Sequence, residues 1–487
     1  MLTLALIIVA VLTGLTALVA KSNARTITLG GSIVNLALAI AAYIAYQNGQ
    51  QHLLDFNIPW VPAFGINFHL AVDGVSLSLL LLTNLLIPFI VLSTYNHNYE
   101  RSHVFYMLIS AMQAGLLGVF AARDVFMFYV FYELALIPIF FICAWWGGLD
   151  RIRVTVKFFI YSLAGSLFML LGILYLYFQT PDKTFSIDAF YQLSLTPIEQ
   201  QWLFWCFFIA FAVKSPIFPF HTWQPATYTT APAAGTMLLG GIMSKMGIYG
   251  LMRLVVPVMP IGVGMWQTWV IVLCVIGIVY GAIIAIRQDD MKTLLAYSSL
   301  SHMGLIAAGV LVMNPQGMQG AVVHMFNHGI SVVALFTLVD VIEKRRGTRS
   351  IAQLGGLANE SKWLSIVFMI ALLGAVGLPL TNGFVGEFIL LQAVFQWHPV
   401  AGAVAGLTII FGAVYMFRMY RRVFYGEPED GVLFNPPAWW EKTSAFVLCA
   451  LVIVLGFYPA VLYTMSNASA AALLNFQQVV NSVSNTF

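Results

Sequence analysis

The chain has 487 residues, of which 60% are hydrophobic and only 8% charged, where a soluble chain carries about 25% charged residues. That excludes a water-soluble globular enzyme, and a formal net charge of +3 scattered through short loops excludes a basic tail or patch for nucleic acid. The four cysteines, Cys143, Cys206, Cys274 and Cys449, lie far apart inside apolar runs, so no compact set is available to hold an iron–sulfur centre.

A helix needs about 20 residues to cross about 30 Å of hydrocarbon. Apolar runs between polar breaks predict fourteen such spans, near 1–20, 26–46, 72–95, 103–122, 125–147, 158–178, 201–220, 231–252, 265–286, 293–313, 318–342, 363–396, 400–420 and 443–465. The expected class is an all-α polytopic membrane protein. The first run lacks a preceding basic stretch and a small-residue cleavage site, so it reads as a span and not a secretion signal. The connection 47–71 reads as the longest loop of the first third.

Within the fifth span, Glu133 falls about eight residues in, roughly 12 Å deep at 1.5 Å per residue. A carboxylate there needs a partner, a proton or water. The seventh span carries Lys214 just before FAVKSPIFPFHTWQP is interrupted by Pro216 and Pro219, which donate no backbone hydrogen bond. Glu133 and Lys214 therefore make either a switchable pair or a permanent ion pair bracing two helices. Lys245 sits among small residues in GTMLLGGIMSKMGIYG; it either snorkels to the outer side or belongs to a buried proton path.

The second half supplies His302 in YSSLSHMG, then His324 and His328 in HMFNHGIS, four apart and so on one helix face. Two imidazoles at that spacing suit a metal, but no acid or cysteine lies close to them in sequence. Proton relay fits them better, with a packed core histidine the plainer reading for either alone. A second interruption, GAVGLPLTNGFVGEF, precedes Glu387. Broken backbone at membrane depth is tolerated where protein or a wet cavity satisfies the freed groups, and one break per half suggests either an internal repeat or two independent kinks.

Placing the first residue outside puts 17 of the 22 Lys and Arg on the cytoplasmic side, the positive-inside pattern. It implies a cytoplasmic membrane with both termini on the periplasmic face. No phosphate loop or dinucleotide fingerprint is present, so covalent chemistry by this chain alone is not expected.

Five stretches, 120–148, 214–250, 287–304, 324–336 and 377–387, taken in order, resemble the subunit M family of the proton-pumping NADH:quinone oxidoreductase, complex I; the resemblance covers about residues 70–425. It implies a fourteen-helix membrane-arm subunit of a proton translocase in the bacterial inner membrane. Two inverted five-helix repeats would fall at 103–252 and 265–420, with 1–95 ahead of them, 421–487 after them, and broken seventh and twelfth helices. It also implies a proton path through Glu133, Lys214, Lys245, His328 and Glu387, and the run of protonatable groups along the chain adds His302. The chain itself would bind no cofactor; NADH, FMN, iron–sulfur clusters and quinone would belong to partner subunits, and its neighbours would be other antiporter-like subunits of the membrane arm. Glutamate at 387 favours subunit M over the related subunit L. A weaker resemblance to multisubunit sodium/proton antiporters gives the alternative. The sequence departs from the family at Gln224–Pro232, where acid and histidine side chains are missing, at His324, where glutamine is usual, and at Asp340 and Glu343, which replace a glycine and an aromatic residue.

Overall fold

Because every backbone polar group in lipid must be satisfied within the chain, apolar sequence of this length folds into helices. The structure, a computed structural model, describes residues 1–427 and 435–484, with side chains to residue 474; residues 428–434 and 485–487 of the predicted C-terminal part lie outside the described residues. Eleven helical runs are long and apolar enough to cross a membrane. The first, Leu2–Gln47, is a hairpin in which Leu2–Ala20 and Ala24–Gln47 meet at a turn over Lys21–Asn23 and pack together. Its outer face exposes Leu12, Leu15, Val19, Ile33, Ile40 and Ile44, apolar surface suited to lipid or a neighbouring subunit.

The centre of the molecule is built differently. The most apolar windows of Ala233–Val258, Met291–Leu311 and Pro315–Arg346 are 94% to 100% buried by the rest of the chain, against 39% for Arg151–Gln179. Those enclosed helices are the ones that carry Lys245, His302, His324 and His328. A lipid-facing location for these groups is thereby ruled out.

Two helices stop where proline interrupts the hydrogen-bond ladder. Pro197–Lys214 ends at Lys214, and helix resumes at Gln224–Thr230; the freed Val213 carbonyl accepts from Trp223 Nε1 at 2.9 Å. Lys362–Val376 ends at Gly377, whose φ of 71° is the left-handed conformation glycine tolerates. The chain re-enters helix at Asn382–Trp397. Asn327 Nδ2 donates to the Asn382 carbonyl at 2.8 Å, and Asn382 Nδ2 donates back to the Asn327 carbonyl at 3.1 Å. Both interruptions are thus satisfied by protein.

Two boundaries differ from the sequence reading. The 47–71 loop contains an antiparallel hairpin, Phe56–Val61 with Ile66–Leu70, anchored where Arg123 N donates to the His69 carbonyl at 2.9 Å. Its five-residue alternation is too short to stand out in an apolar chain. The last predicted span, 443–465, ends at Phe457, and a separate helix Ala460–Ser484 follows. Pro459 disfavours helical geometry at Tyr458, which has φ −129° and ψ 66°.

Candidate proton path

Glu133 stands two residues before an irregular turn at Ala135, which separates helices Val125–Leu134 and Leu136–Trp146. Pro138, lacking an N–H, removes a hydrogen bond from this turn. Glu133 Oε1 is buried without a hydrogen-bond partner, and so is Lys214 Nζ. The permanent ion pair is not formed: Glu133 and Lys214 feel one another's charge, yet no salt bridge joins them among the described residues. The Lys214 ammonium instead lies 4.8 Å from the centre of the Tyr132 ring, where the face of the ring is attractive to a cation.

From Lys214 the backbone turns at Ser215, whose hydroxyl donates to the Ser244 carbonyl at 2.9 Å. Gly247 allows this contact, since a Cβ there would run into Ser215 and Phe211. Ser244 directly precedes Lys245. The helix around Lys245 contains two π turns, Leu239–Met243 and Leu251–Val255, a distortion frequent at functional sites. The Gly240 carbonyl in the wider turn accepts from Ser244 Oγ at 3.2 Å and from Lys245 Nζ at 2.5 Å; around that ammonium two further acceptors are placed. Ser244 Oγ lies at 3.4 Å and His328 Nδ1 at 2.9 Å. An ammonium has three donors, and each finds an acceptor here. Lys245 is fully buried, which removes the snorkelling alternative.

The second half gathers what the sequence spread out. His302, on Met291–Leu311, meets Glu387, on Asn382–Trp397, with Nδ1 and Oε1 2.9 Å apart. His324 Nε2 lies 3.4 Å from the same His302 nitrogen. The rings of His302 and His328 are 5.4 Å apart between centres. Two glycines create the room. A Cβ at Gly386 would strike His324, and one at Gly377 would strike Glu387 Oε2. Beside the three histidines lies a cavity with ≈ 20 Å³ open to the centre of a water molecule, space for about one water.

Sequence reasoning missed Tyr132, Ser215 and Ser244, ordinary residues in an apolar helix until the fold faces them to the lysines. It also missed a salt-bridge node at one end of the bundle. Asp73 Oδ2 binds buried Arg253 at 2.6 Å and Arg123 at 3.3 Å. Burial alone would push the Asp73 carboxyl up; the Arg253 and Arg123 guanidinium groups and the Ser76 N–H more than offset it and hold it below the ordinary carboxylate range. At the opposite end, Asp340 pairs with His97 at 2.8 Å and Glu343 with Arg349 at 3.3 Å. They line a cleft with Lys292.

The family model described as NADH:quinone oxidoreductase/Mrp antiporter, TM, matches residues 122–412, which contain all six candidate path residues. The chain belongs to this family. NADH-quinone oxidoreductase subunit M of Rickettsia conorii is 37% identical over 421 residues, 85% of each chain. F(420)H(2) dehydrogenase subunit M of Methanosarcina mazei is 37% identical over 456 residues, 91% of each. Among solved structures, a chain of respiratory complex I from Thermus thermophilus with bound NADH superposes with a TM-score of 0.90 at 29% identity, covering 98% of this chain and 99% of that one. The stretch matched by the family model includes the residues on either side of both interruptions, and the two relatives cover 85% and 91% of the chain.

Proposed function

We propose that this membrane-arm subunit of an NADH:quinone oxidoreductase moves protons along Glu133, Lys214, Lys245, His328, His302 and Glu387, driven by redox chemistry in partner subunits. The observation that carries this reading is the buried series from Lys245 through the histidines to Glu387, its lysine and histidines on helices enclosed by the rest of the chain and the Glu387 side chain itself buried. A proton on Lys245 has His328 Nδ1 as its nearest nitrogen acceptor, and His302 already contacts the carboxylate beyond. Gaps between Glu133, Lys214 and Lys245 need water or side-chain movement, which the unpartnered Glu133 oxygen and Lys214 nitrogen favour.

Reading the first hairpin as two spans and each interrupted helix as one gives fourteen crossings. The repeats then run over 103–252 and 265–420, flanked by 1–95 and 421–487, with opposite senses in the membrane and broken seventh and twelfth helices. Both termini lie on the periplasmic side in this arrangement. It is supported by the grouping of Asp73, Arg123 and Arg253 at one end and His97, Asp340 and Arg349 at the other.

The family also contains sodium/proton antiporter subunits, and one measurement separates the two functions. Purified complex in liposomes should acidify the lumen on NADH addition without sodium; antiport that persists in vesicles lacking the NADH-oxidising partners would refute the assignment. Reporters after Arg349 and within 47–71 should fall on opposite membrane faces.

A further inference from the structure

The sequence offered His324 and His328 as a metal pair without an acidic companion. The fold supplies the companion by a different route. One ligand atom from each of His302, His324 and Glu387 lies within 4.8 Å of the others, and all three side chains are buried. We propose that these residues form a binding site for a divalent transition-metal ion of the zinc type.

The donor set is two imidazoles and one carboxylate, a recognised zinc combination that leaves a fourth position for water. Zinc–ligand bonds of about 2.0–2.1 Å place tetrahedral ligands roughly 3.3 Å apart. The His302–Glu387 and His302–His324 edges are 2.9 Å and 3.4 Å, so a small adjustment of the carboxylate closes the set. Glu387 Oε2 is buried and unpartnered, free to join it. The small cavity beside the histidines has room for the water. His328, whose Nδ1 is engaged by Lys245, is not among the residues whose donor atoms converge. His324 is the distinguishing member: the family resemblance sets glutamine there, and the proton path does not require it.

Resting on the proton-path reading above, the consequence is inhibition, since an ion here occupies the lone pairs that His302 and Glu387 would use to pass a proton. Binding and inhibition are separable by experiment. Whole complex, treated with chelator, is titrated with zinc chloride alone, desalted and assayed for metal, with assembly checked by NADH oxidation through an artificial acceptor. The parent should retain one zinc more per complex than either His324→Gln or Glu387→Gln. Cobalt in place of zinc should give the visible absorption of a four-coordinate site, absent from both variants. Equal zinc retention and identical cobalt spectra in parent and variants would overturn the site. Zinc should also inhibit proton translocation in the parent at concentrations at least about tenfold below those needed for His324→Gln. If zinc binds through His324 and Glu387 while translocation continues, the site stands and the path through His302 and Glu387 falls.

Discussion

The two halves of the path handle buried charge in opposite ways. Around Lys214 the polar atoms are left bare: the ammonium has an aromatic face beside it, and Glu133 Oε1 has no partner. Around His302 they are crowded: His324 and Glu387 lie 3.4 and 2.9 Å from its Nδ1, and the neighbouring His328 is 2.9 Å from Lys245. An unpaired buried charge is costly, so the first site is poised to exchange partners or protons, whereas the second is wired in advance. The first should therefore be intolerant of substitution and the second more forgiving.

The largest effect is expected at Lys214. Lys214→Arg keeps a cation but one that does not release its proton, so NADH-driven proton uptake into inverted vesicles should fall to background while NADH oxidation through an artificial acceptor persists. Glu133→Gln should behave alike. Pumping at the parental rate by fully assembled Lys214→Arg would show that this lysine need not deprotonate. His328→Gln tests the contrast directly: with His302, His324 and Glu387 still in contact, translocation should fall only severalfold, and a loss as complete as that of Lys214→Arg would erase the distinction.

A smaller effect is expected at Gly377. Alanine there must take a left-handed conformation costing roughly 1–2 kcal/mol and displace the Glu387 carboxylate. Thermal unfolding of the purified complex should come at lower temperature, with a partial pumping defect. Gly30 has open space about its Cα, so Gly30→Ala should leave both unchanged. The smallest effect on pumping, as distinct from stability, is expected at Asp73. Its folded carboxyl titrates below the ordinary value of about 3.9, so its stabilising contribution is complete above that value and is lost as pH falls through the depressed one. Asp73→Asn should weaken the assembled subunit at pH 7 and flatten the acid limb of its stability profile; unchanged inactivation between pH 3 and 7 would count against the node.

Much of the membrane frame was legible in the sequence because hydrocarbon imposes a length and a composition on every helix. The candidate path residues stood out because a charge in an apolar run is conspicuous, as Glu133 and Lys245 are. Their companions were not: Ser244 and Tyr132 acquire meaning only from what faces them. Nor did spacing reveal that Glu387, 63 residues beyond His324, completes its cluster. The 47–71 hairpin stayed hidden because an apolar chain drowns a short alternation of period two.

The docking of the final helix on the third has a consequence for biosynthesis. Gly74 has no side chain, and a Cβ there would overlap the Met465 carbonyl; its amide donates to Ser469 at 2.9 Å. One residue earlier, Asp73 waits for Arg253. A ribosome therefore delivers the third helix long before either of its fastenings exists, the first arriving about halfway through translation and the second almost at its end. Before the first of those moments that end of the helix is held by neither, and nascent chains halted before residue 253 should be the ones most readily recognised and removed by membrane proteases.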